Sequence, residues 1–129
     1  MNVGEPVLDL EVARRLIPGG AKGMRSIAAL TRTDCPQRMA EAQEACRQGE
    51  AEVVFRAAHS LKATFGWFGA KAAAQAARAV ESPAKQGDMD AAIAALPALQ
   101  SEATRFMAAL DELETVLASD PAADSESAG

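Results

Sequence analysis

An all-α fold is predicted by three features of the chain. Alanine, the strongest helix former, fills 31 of the 129 positions. Sheet-favouring residues are scarce, with no tyrosine and only five Phe and Trp together. The C-terminal third carries Met89, Ala92, Leu96, Leu99, Ala103, Phe106, Leu110, Leu113 and Leu117 in alternating three- and four-residue steps. That is the seam of a helix packed lengthwise against its neighbours. The predicted architecture is an up-down-up-down four-helix bundle with one or two additional short N-terminal helices. The length suits one domain with a single core.

Taken in order, residues 1–7 read as a leader. A short amphipathic helix is expected over 8–17, with Leu8, Val12 and Leu16 on its inner stripe, stopped by Pro18-Gly19-Gly20. A second short helix over 22–32 would turn Ile27 and Leu30 inward. Asp34-Cys35-Pro36 then has the form of a helix start, a capping acid with a proline in the first turn. The helix it opens is expected over 34–48, ended by Gly49. The next is expected over 50–66, interrupted by Gly66 and Gly69, and another over 70–86, its last turn loosened by Pro83 and closed by Gly87. The last helix, 88–118, is expected to bend or break at Pro97. The bundle then spans 8–118, and the polar, acidic tail 119–129 is expected to be disordered.

A net charge of −5 argues against a general nucleic-acid binder. No apolar run approaches the roughly 18 residues of a membrane span, and no secretory leader is visible, so the chain is expected to be cytoplasmic, without membrane contact. Cys35 and Cys46 on one helix would lie about 16 Å apart, beyond disulfide reach, and read as reduced packing thiols. One histidine and two distant cysteines offer no tetrahedral metal set, and no cofactor is expected. Gly19-Gly20-Ala21-Lys22-Gly23 lacks the spacing of a phosphate-binding loop and the Ser or Thr after its lysine, so the chain is not expected to have ATP-dependent kinase activity of its own.

The single histidine, His59, is placed by helical geometry. Val54, Ala58, Leu61 and Phe65 form one apolar stripe, and His59 falls about 130° from its centre at 100° per residue. The ring should therefore face water or the bundle edge, either as a reactive group or as an incidental surface histidine. Lys62 follows at i+3, Ala63 and Gly66 leave little bulk on that face, and Phe55 lies one turn before. Such a face suits the approach of a large partner, and the lysine would stabilise added negative charge. Trp67 and Phe68 lie between two glycines; Phe68 is expected in the core, and Trp67 either plugs the bundle end or meets a partner.

The stretch Ala58-His59-Ser60-Leu61-Lys62-Ala63-Thr64-Phe65-Gly66-Trp67-Phe68-Gly69-Ala70 resembles the signature of histidine-containing phosphotransfer (HPt) domains, roughly H-x-L-K-G, a small-residue stretch and a Gly-Ala pair. Glu81 and Gly87-Asp88 also fall where family members often place a glutamate and a Gly-Asp turn. The resemblance implies that His59 accepts and donates a phosphoryl group and that Lys62 stabilises its charge. It implies a phosphorelay between a hybrid sensor histidine kinase and response-regulator receiver domains, with magnesium held by the receiver and the chain acting as a monomer. Phe55, Arg56, Ala63, Gly66 and Lys71 are the expected partner-binding residues. One departure is Ala63, where the family usually has glycine; its methyl narrows the partner's approach. The alternative function is a helical adaptor that binds a receiver or another signalling partner without transferring phosphate.

Charge is unevenly spread. Residues 111–129 hold six acidic residues and no basic one. Within 53–80 there are four basic residues, Arg56, Lys62, Lys71 and Arg78, and no acidic one. The His59 neighbourhood is therefore locally positive, which suits a partner with an acidic pocket.

Overall fold

The computed structural model describes residues 6–119, which form five α-helices. These are α1 (Leu10–Leu16), α2 (Gly20–Gln48), α3 (Ala51–Trp67), α4 (Lys71–Lys85) and α5 (Met89–Ser119). Helices α2 to α5 close a ring in which α2 packs on α3, α3 on α4, α4 on α5 and α5 on α2; α1 lies against α2 and α3. Short links between consecutive helices make neighbours antiparallel, the up-down-up-down bundle. Most of the leader, and all of the tail beyond residue 119, lie outside the described residues.

The expected break between residues 32 and 34 does not exist. Helix α2 runs unbroken for 29 residues with Pro36 inside it. Proline removes one i→i−4 hydrogen bond and crowds the preceding turn, at a cost of about 3 kcal/mol. The buried stripe Met24, Ala28, Thr31, Cys35, Met39, Ala42 and Ala45 keeps its three- and four-residue steps across the proline, so packing on both sides holds one axis. Asp34 is no cap: its carboxylate pairs with Arg38 one turn on, at 3.5 Å. The inward residue is Thr31, whose hydroxyl donates to the Ile27 carbonyl at 2.7 Å, while Leu30 is 66% exposed and Ile27 only partly buried.

Helix α1 also turns a different face inward. Ala13 and Ile17 are buried and Leu16 is exposed. Asp9 caps α1 by accepting from the backbone of Glu11 and Val12, and its own N–H donates to the Phe68 carbonyl at 2.8 Å. The helix is thereby seated on the α3–α4 turn. Gly66 does not interrupt α3 but lies inside its last turn. The stop is Gly69, at φ +63°, where Ala70 N–H donates to the Phe65 carbonyl and Gly69 N–H to that of Gly66. Pro97 likewise sits inside α5 without breaking it.

The α5 seam is buried from Ala92 to Leu117, with Met89 half-buried against it. At its centre Phe106 meets Phe65 and Phe68 edge-on, at ring centroid distances of 4.9 and 5.6 Å. Phe68 is fully buried, as its position on the helix predicts. Both cysteines are free and buried; burial, then the Asp34 charge, pushes the Cys35 thiol up to about 11. Among the described residues no helix is long and apolar enough to cross a membrane.

Candidate functional site

Helix α3 builds the site because its apolar stripe commits one face to the core. Val54, Ala57, Ala58, Leu61 and Phe65 are buried, which turns His59 outward with its side chain 58% exposed. The half-buried Phe55 ring stacks on the imidazole, 5.6 Å between centroids at 24°. Stacking one turn before the histidine limits the ring's swing.

Glu81 reaches the imidazole from α4 and is one of two buried polar side chains among the described residues, the other being Thr31. One of its oxygens, Oε2, contacts His59 Nδ1; the other, Oε1, accepts from Lys62 Nζ at 2.6 Å. Burial pushes the Glu81 carboxyl up, but the hydrogen bonds from Lys62 and His59 and the lysine's charge outweigh it and hold the group below the usual carboxylate range. Glu81 is therefore ionised at neutral pH and can only accept, so Nδ1 carries the hydrogen. In the neutral ring, Nε2 then keeps the lone pair, on a side chain open to solvent.

The residues singled out in the sequence come together in part. Arg56, Ala63 and Gly66 are exposed on α3, and a methyl at Gly66 would meet nothing within 4 Å. Lys71 is exposed at the first turn of α4. Lys62 is not a free cation: it is half-buried and bonded to Glu81, so its charge is balanced within the site. Glu81 was not among the expected site residues. Its signal was a carboxylate at the margin of an inward stripe, Ala73, Ala77, Val80 and Ala84, where an unpartnered charge would be costly. Among the described residues no three His, Cys, Asp or Glu side chains are grouped to hold a metal ion.

The family model described as the Hpt domain matches residues 26–119. No curated protein and no solved structure matches the chain. The match covers the four ring helices from the first turns of α2 to the end of α5, so it includes His59 and every group that contacts it. A ring of antiparallel helices presenting one outward histidine, matched over that span, makes the chain a member of the Hpt domain family, the histidine phosphotransfer domains of two-component systems.

Proposed function

We propose that the chain is a phosphorelay intermediate, a cytoplasmic monomer that carries a phosphoryl group on Nε2 of His59 between receiver-domain aspartates. The observation that supports this reading is the Glu81 carboxylate against Nδ1, which leaves Nε2 as the nucleophile. The Nε2 lone pair attacks phosphorus in line, the N–P bond forms, and the bond from phosphorus to the aspartyl oxygen breaks. The aspartate leaves as a carboxylate, and no proton need move. Positive charge that develops on the ring is stabilised through the Nδ1 hydrogen bond to Glu81, as a carboxylate on Nδ1–H stabilises an imidazolium in a catalytic triad. The return step reverses each bond change.

Lys62 serves this reaction through Glu81. By neutralising the carboxylate it lowers the repulsion an isolated negative charge would exert on the incoming phosphoryl group. Positioning and electrostatics carry phosphoryl transfer, so a bundle with one reactive side chain suffices, and the divalent ion is assigned to the receiver's own carboxylates.

The test is incubation with phosphorylated receiver domains. The wild-type chain is expected to take up acid-labile label, and the His59→Gln variant to take up none. Label that persists in the variant would overturn the assignment, and a wild-type chain that binds receivers without label would be the adaptor instead.

A further inference from the structure

A phosphoryl group on Nε2 brings negative charge to the outer end of the His59 ring, and the cation nearest in sequence is already committed. Lys62 Nζ donates to Glu81 Oε1 at 2.6 Å, so the lysine and the carboxylate together carry no net charge. Helical geometry decides which other cation reaches Nε2. With His59 at zero and about 100° per residue, Lys62 at i+3 falls about 60° to one side and Arg56 at i−3 about 60° to the other. Glu81 touches both Nδ1 and Lys62, so α4 stands on the lysine side. The Nε2 lone pair leaves the ring across from Nδ1, and therefore points away from α4 and toward the Arg56 side.

The direction along the helix agrees. Helical side chains lean toward the N-terminus, over the turn before their own. The His59 ring accordingly lies over the turn of Phe55, on which it stacks, and Arg56 is the next residue of that turn. Neighbours three apart have Cβ atoms about 5–6 Å from each other, a gap that an arginine side chain spans. Arg56 is exposed, and among the described residues no ion-pair partner is found for its guanidinium; Glu52, exposed one turn before it, is not paired with it. Arg78 and Lys85 are also exposed, but they flank Glu81 on α4 and so stand on the Nδ1 side of the ring.

We infer that Arg56 binds the phosphoryl group on Nε2, its guanidinium donating two parallel N–H bonds to two of the three non-bridging oxygens. The inference rests on the proposed transfer through His59. A planar guanidinium fork matches phosphate oxygens two at a time, where a lysine offers only a point charge. As the N–P bond forms at Nε2 and the aspartyl P–O bond breaks, no proton leaves the guanidinium. The fork meets the charge spread over the phosphoryl oxygens, and it does so in both directions of transfer. The two cations of α3 thus divide the work: Lys62 balances Glu81 behind the ring, and Arg56 holds the phosphoryl group in front of it.

The experiment uses the full chain and phosphoramidate, a donor too small to need a docking face. Arg56→Gln is expected to slow formation of phosphohistidine about tenfold, and Arg56→Lys to recover only part of that loss. Helix content should stay unchanged in both, because the side chain is on the surface. Arg78→Gln removes the same charge from the Nδ1 side and is expected to change the rate by less than about twofold. In proton NMR the guanidinium N–H signals of Arg56 are expected to exchange more slowly with water once the wild type is phosphorylated. Equal rates for wild type and Arg56→Gln would overturn the assignment while leaving His59 in place. So would equal slowing by Arg56→Gln and Arg78→Gln, which is a general field, or slowing seen only with a receiver as donor, which is a partner contact. A wild-type chain labelled by neither phosphoramidate nor a receiver would instead overturn the transfer reading, and the Arg56 assignment with it.

Discussion

Glu81 on α4 holds Nδ1 of His59 on α3 across 22 positions of sequence, and with its second oxygen it holds the ammonium of Lys62. The contact joins two helices, selects one tautomer of the ring and balances one charge. Two side chains are thus set by a single carboxylate, which makes Glu81 the most informative position to change.

Glu81→Gln keeps the size but not the charge, and an amide can accept or donate, so the imidazole is no longer confined to one tautomer. Transfer from a phosphorylated receiver is expected to slow about tenfold, equivalent to about 1.4 kcal/mol. Nitrogen NMR of His59 is expected to show hydrogen on Nδ1 in the wild type and a mixture of tautomers in the variant. The same tautomer in both would mean that Glu81 does not position the ring.

The same carboxyl makes stability depend on pH. Its folded value lies below the unfolded one of about 4.3, so its contribution is fully present above that value and is lost as pH falls through the lower, folded one. Thermal melts of wild type and Glu81→Gln are therefore expected to differ most at neutral pH and to converge once the pH has fallen below the folded value of that carboxyl. A gap that widens on acidification would reverse the assigned sign.

Gly69 is required twice over, by its φ of +63° and by the space around it. A Cβ there would lie 2.7 Å from that of Asp9 and 2.8 Å from that of Val12. Gly49, at φ +71°, has open space around it. Gly49→Ala is expected to cost about 1 kcal/mol from backbone conformation alone, and Gly69→Ala at least about 2 kcal/mol because α1 must also lift. Urea denaturation of the two variants measures the difference, and equal losses would show that α1 is not seated on the turn.

Phe106→Ala empties the contact among three phenylalanines that joins α5 to the end of α3. The expected loss is about 3–5 kcal/mol, read from the denaturation midpoint. A loss under about 1 kcal/mol would show that the core closes without it.

Much of this molecule is legible in its sequence, where a signal repeats. The α5 seam is supported by nine positions, and the outward direction of His59 by four inward neighbours, so no single residue decides either. Local chemistry misleads at Asp34-Cys35-Pro36, which has the composition of a helix start, because the stripe from Met24 to Ala45 that overrides it is seen only by crossing the proline. The short α1 fails for a related reason: two faces of a seven-residue helix differ by too few apolar residues, and its docking on the α3–α4 turn chooses Ala13 and Ile17. The pairing of Lys62 with Glu81 lies in the approach of two helices, which no spacing within either one records.

The most direct test of the central claim is the position of the phosphoryl group on the ring. The wild-type chain can be treated with phosphoramidate, a small donor that needs no docking surface, and phosphorus and nitrogen NMR used to identify the modified nitrogen. The Nδ1–Glu81 contact predicts phosphohistidine at Nε2 of His59, with none formed in His59→Gln. Phosphorylation at Nδ1, or label retained without His59, would contradict the account.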